Sequence, residues 1–170
     1  MLVRNEILFK WALYGAAAML CLIVQGLVLQ RFTVWGVIPF VYPLAAVIPA
    51  TFEGSTSGTI FALVMGAVTD ILLPAPLPCF YTLVFPLAGL CAALLAQSVL
   101  RSGYLCSLLS GAIAFALSGG LHCLLLWIKG TPAWSAGGFV LLRETCVSLP
   151  FALPMTAFFG AVYRRVHLYD

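Results

Sequence analysis

Long apolar runs, each closed by a short polar or proline- and glycine-bearing joint, repeat along the whole of this chain. Such runs of about 20 residues match the roughly 30 Å hydrocarbon thickness that a transmembrane helix must cover. The pattern predicts spans near 9–29, 34–51, 57–73, 80–100, 104–128 and 139–163, the second and third of them short. The joints are Gln30 with Arg31, the polar run 53–57, the cluster Pro74, Pro76 and Pro78, the stretch 101–103, and the stretch 129–138. None is long enough to hold a folded domain. The expectation is an all-α integral membrane protein, a bundle of about six transmembrane helices forming a single domain over residues 1–170.

Composition sharpens this reading. Hydrophobic residues make up 64% of the chain and charged residues 8%, with a mean hydropathy of +1.14, whereas soluble domains run to roughly 25% charged. No water-soluble fold of this length hides so much apolar surface. The charges gather mainly at the joints, so the net +3 carries no implication of nucleic acid. Arg4, Glu6 and Lys10 ahead of the first run could open a signal peptide, but the run from Trp11 to Leu29 is long enough to span and further spans follow. Lysine and arginine collect in cytoplasmic joints. With the N-terminus inside, Arg4, Lys10, Arg101, Arg164 and Arg165 fall inside and Arg31, Lys129 and Arg143 outside, which places both termini in the cytoplasm. Trp11, Trp35, Trp127 and Trp134 lie near predicted span ends, as interfacial aromatics do. Cys21, Cys79, Cys91, Cys106, Cys123 and Cys146 show no metal or redox spacing, and only Cys79 falls in a joint.

The stretch from Phe52 to Asp70 carries the densest information. Gly54, Gly58, Ala62, Gly66 and Asp70 recur every four residues and so form one ridge on a helix, drifting about 40° per step. Small ridges let membrane helices approach closely. The pattern leaves open whether the surface packs within the chain or against a partner. Asp70, near the outer end of the short third span, must face protein, water or a cation, either by capping the following turn or by meeting a partner or substrate. Glu53 opens the same helix, where negative charge suits the helix dipole. His122 lies in the outer half of the fifth span, either hydrogen-bonded structurally or facing Asp70 in a candidate outer cavity. Arg143 and Glu144 are adjacent and point about 100° apart, with snorkelling to the interface as the expectation. Pro150 and Pro154 should kink the last span. Ser57 and Ser118 sit in glycine-bearing strings that fall short of the GxSG of intramembrane serine proteases, and no metalloprotease, paired-aspartate or phosphate-loop motif appears. The reading is of a protein without catalytic activity, cofactor or metal.

Glu53, Gly54, Gly58, Gly66 and Asp70, followed by a proline-rich turn and PLAGL at residues 86–90, resemble the rod shape-determining MreD family. The resemblance implies a bacterial inner-membrane scaffold of the elongation machinery for the cell wall. It implies binding to the membrane-anchored MreC, and work alongside MreB, RodZ, RodA and its transpeptidase. On that resemblance, residues 54–66 and Asp70 are packing or partner-binding determinants. Pro76 and Pro78 with Leu77 depart from the glycine-rich turn expected after the aspartate. The six-span layout is also similar to the substrate-binding S components of energy-coupling-factor vitamin transporters. Those use an AxxxA surface on the first helix, for which Ala12 and Ala16 give one spacing, and they need a polar, aromatic-lined outer pocket. Asp70, Tyr81, His122, Trp127 and Trp134 are the outer-half residues that could supply it.

Overall fold

A computed structural model describes residues 2–74, 77–98, 100, 103–130 and 134–167, with side chains for all of these except 2–7, 134–136 and 167. Pro76 and Arg101, and the side chains of Arg4, Glu6 and Trp134, lie outside the described residues. The architecture is an all-α membrane bundle. Its helices are α1 (Leu2–Leu27), α2 (Tyr42–Glu53), α3 (Ser55–Leu72), α4 (Phe80–Ser98), α5 (Tyr104–Ile128), α6 (Trp134–Ser148) and α7 (Ala152–His167). Five helical stretches among the described residues are long and apolar enough to cross a bilayer: Leu8–Arg31, Ser55–Leu72, Phe80–Ser98, Tyr104–Ile128 and Gly137–Val166. The last joins α6 to α7 through a 3-10 turn, Leu149–Phe151, that contains Pro150.

The second predicted span differs from expectation. Only α2 is helical there, and its 12 residues cover about 18 Å. The apolar positions from Val34 onward do not continue that helix. Val34 and Val37 instead close a tight turn in which Trp35 (φ 54) and Gly36 (φ 77) both take positive φ, and residues 38–41 run on without helix. Irregular backbone within a membrane protein survives only where protein supplies its hydrogen bonds. Here Gln25 of α1 supplies two. Its Nε2 donates to the Pro39 carbonyl at 2.7 Å, and its Oε1 accepts from the Val41 amide at 2.9 Å. Ser148 at the end of α6 accepts from the Phe40 amide at 2.8 Å.

Every residue of α2 from Tyr42 to Thr51 is buried, as suits a helix that is apolar all round. Helices α1, α3, α4, α5 and α7 pack around it. Lys10 pairs with Glu53, Phe52 packs on the Tyr163 ring, and Gln25 holds residues 39–41. The N-terminal part of α1 and the C-terminal part of α7 therefore share one end of the bundle, termed the terminal end here. Residues 28–41, the end of α3 with the start of α4, and the end of α5 share the other, the loop end. Leu20, Ile23, Leu27, Ile60, Leu83 and Phe139 are among many large apolar side chains left exposed, which is the outward face a bilayer covers. Three hydroxyls inside the bundle are satisfied locally, whereas the buried Ser107 hydroxyl has no hydrogen-bond partner among the described residues. Thr69, Ser118 and Thr156 each donate to the carbonyl four residues back, at 2.7, 2.8 and 2.6 Å.

Candidate functional site

The small-residue ridge of α3 lies against its own chain. A Cβ on Gly58 would stand 2.5 Å from Ala50 Cα of α2, and one on Gly89 of α4 would stand 2.7 Å from Ala62 Cβ. At Gly66 an added Cβ would meet the Tyr81 carbonyl carbon at 2.8 Å and Thr82 Cα at 2.9 Å. At Gly58 and Gly66 these are backbone-to-backbone approaches that any side chain would wedge apart. Gly54, at φ 85, is the single residue between α2 and α3, a conformation that side chains disfavour. The ridge thus builds the α2–α3–α4 core.

Asp70 completes that core. Its Oδ1 accepts from the Tyr81 amide at 3.0 Å, and its Oδ2 accepts from the Thr82 amide at 2.8 Å and the Thr82 hydroxyl at 2.5 Å. The first turn of α4 has amides with no helical partner and carries the positive end of the helix dipole, so a carboxylate there is doubly favoured. Asp70 and His122 are not brought together in one cavity. Asp70 does not line the cleft that contains His122, because its carboxylate is occupied by α4.

Glu53 lies at the terminal end in an ion pair with Lys10 of α1, with side chains 5% and 24% exposed respectively. The Tyr14 hydroxyl lies beside the same carboxylate. Neither Tyr14 Oη nor Glu53 Oε1 completes a well-formed hydrogen bond. This cluster ties α1 to the end of α2, with the Trp11, Tyr14 and Phe61 rings packed beside it at centroid distances of 6.1 to 6.3 Å.

His122 faces a cleft of about 430 Å³ at the loop end, between the start of α4, the C-terminal half of α5, and α6. Its ring meets Phe80 edge-on at 6.3 Å. Tyr81, Phe40, Phe115, Ser118 and Glu144 share the lining. Tyr81 therefore has two roles: its amide is held by Asp70 and its side chain faces the cleft. A second hollow of about 540 Å³ adjoins the first, walled by Gln25, Gly36, Pro39 and Leu73 and sharing Phe40, Val140 and Glu144 with it. Arg143 turns away from Glu144. Its guanidinium lies 4.6 Å over the Phe139 ring and donates a long 3.5 Å bond to the Trp35 carbonyl. Trp127 is exposed near the end of α5 and is absent from both linings.

Gln25 and Ser148 are site residues that the sequence pattern did not single out, and Glu144, expected at the interface, instead lines both hollows. Gln25 had a signal, since it is the one polar side chain in the apolar run 11–29. No group of three or more metal-ligating side chains occurs among the described residues. Compared with models of protein families, with curated proteins and with solved structures, the chain matches none.

Proposed function

We propose that this chain is a non-enzymatic membrane scaffold of the MreD type. It would lie in a bacterial plasma membrane with both termini cytoplasmic and bind an MreC-like single-span protein within the elongation machinery, alongside MreB, RodZ, RodA and its transpeptidase. The carrying observation is that the residues bearing the resemblance, Glu53 to Asp70, form one continuous packed unit. Gly58, Ala62 and Gly66 seat α3 on α2 and α4, and Asp70 fixes the start of α4. A motif used in this way defines a rigid body that presents its outward helix faces to partners. Partner contact then falls on those faces rather than on the ridge.

Affinity purification of the tagged protein from membranes in a mild detergent tests this reading. An MreC-like partner should co-purify, and depletion should round the cells. Failure to retain such a partner, together with unchanged cell shape on depletion, removes the reading.

The loop-end cleft favours a second reading, a small-molecule-binding membrane subunit like an S component. Its aromatic lining and its volume of about 430 Å³ suit a drug-sized ligand. Thermal-shift screening with vitamins tests it, because a ligand at 100 times its dissociation constant adds about 2.7 kcal/mol to stability. No shift from any vitamin counts against it.

A further inference from the structure

Among the described residues, Glu144 is the only lysine, arginine, aspartate or glutamate that lines either loop-end hollow, and it lines both. Its carboxylate has no hydrogen bond and no ion pair among the described residues. The neighbouring cation, Arg143, is turned toward Phe139 and Trp35. An acid held in a largely apolar recess without a counter-charge is costly unless it is protonated or meets a cation. The walls around it are aromatic. Phe40 and Tyr81 lie 6.1 Å apart, and Phe80 packs on Tyr81 at 5.2 Å, nearly edge-on. Ring faces attract organic cations, most strongly where water is excluded.

From this juxtaposition we infer that the cleft binds a small organic cation, with its ammonium at Glu144 and its apolar body among Phe40, Phe80 and Tyr81. Other ligand classes fit less well. A metal ion would find a single carboxylate and one imidazole, and no group of three ligating side chains exists among the described residues. An anion would meet Glu144 as a like charge. A neutral apolar molecule would fill the volume and leave the carboxylate uncompensated. Ser118 and His122 add hydrogen-bonding groups at the α5 wall and so allow orientation of a polar substituent. The inference is independent of the scaffold reading and narrows the transporter-subunit reading to one ligand class.

The test uses the full chain in lipid nanodiscs with two probes of nearly equal shape, benzyltrimethylammonium and its neutral carbon analogue neopentylbenzene. The cation should raise the melting temperature in a saturable manner and the neutral analogue should not. Glu144→Gln should weaken cation binding by at least about tenfold, and Phe40→Ala should weaken it by about threefold or more. The inference is overturned by equal binding of the two probes, by no shift from the cation at about 1 mM, or by undiminished cation binding in Glu144→Gln. The paired-probe comparison needs no variant, so it decides the matter even if a substitution impairs folding. Cation binding without any vitamin binding leaves this inference standing while the vitamin reading falls. A neutral vitamin that binds where the cation does not has the reverse meaning.

Discussion

The α3–α4 seam and the α5–α6 cleft are built from the same ingredients, glycines on a helix face and one acid at the loop end, and they come out opposite. In the seam Gly66 brings backbone against the Tyr81–Thr82 peptide of α4, and on the same helix Gly58 does so against Ala50 of α2. In the cleft the glycines meet only side chains, Gly119 the end of Leu141 and Gly137 the Cys123 sulfur. The acids follow the same division. Asp70 accepts three hydrogen bonds from the start of α4, whereas Glu144 lines open space. Backbone contact admits no adjustment, while side chains can re-pack around a guest. The seam is therefore the frame, and the cleft is the part able to respond to a ligand.

The sharpest way to break the comparison is to place one bulky residue in each region. Gly66→Leu must part α3 from α4 because nothing at the contact can move short of the backbone, at a cost at or beyond the top of the roughly 1–3 kcal/mol range for overpacking. The expected result is loss of the monodisperse peak in fluorescence-detected size exclusion. Gly119→Leu, in the cleft wall, meets only the movable end of the Leu141 side chain and should elute as a monodisperse peak with a smaller loss of melting temperature. Equal damage from both would mean that the two regions are packed alike.

The same contrast marks what could be read in advance. The five long spans follow from apolar length alone, and the fourfold spacing of Gly54, Gly58, Ala62, Gly66 and Asp70 located the closest helix approaches. The spacing could not say which helices approach. A ridge names its own face and not its neighbour, and here the neighbours are α2 and α4. Residues 34–41 are apolar enough to pass for helix, but their non-helical course depends on groups distant along the chain. Gln25 lies 14 residues from Pro39, and Ser148 lies 108 from Phe40. The two loop-end acids were assigned by position along their helices. Asp70 reaches amides 11 and 12 residues onward across the turn, and no local pattern records that reach.

Gln25 has the next largest expected effect and tests whether the loop end belongs to the rigid frame. Pro39 and Val41 are buried, and Gln25 itself is 3% exposed. Gln25→Leu would strand one carbonyl and one amide in an apolar setting, each at roughly 1–3 kcal/mol. A lowered melting temperature in nanodiscs checks this, and Gln25→Glu should recover part of the loss because it retains an acceptor for the Val41 amide. A Gln25→Leu protein that melts like the parent would show that residues 38–41 need no such support.

Asp70→Ala follows, at about 1–3 kcal/mol, since it leaves two half-buried amides of α4 without a charged acceptor. Asp70→Asn should cost less, because its one carbonyl oxygen can still accept. If Asp70→Ala instead leaves stability unchanged, the carboxylate is not the fixing point of the seam and the contrast with Glu144 fails.

Glu144→Gln, in the absence of any ligand, should have the smallest effect and the opposite sign. Removing a paired buried charge destabilises because its partner is stranded, but Glu144 has no partner to strand among the described residues. Its replacement by a neutral isostere removes a desolvation cost and no formed interaction. Unliganded Glu144→Gln should therefore melt at or slightly above the parent temperature, within about 1 kcal/mol, in the same nanodiscs where Asp70→Asn melts lower. A clear destabilisation would mean that the resting protein uses Glu144 as a structural acceptor, as it uses Asp70. The two acids would then differ in degree only. A neutral or stabilising result separates them in kind: one carboxylate whose bonds are all made within the fold, and one kept open at a cost that a bound cation would relieve.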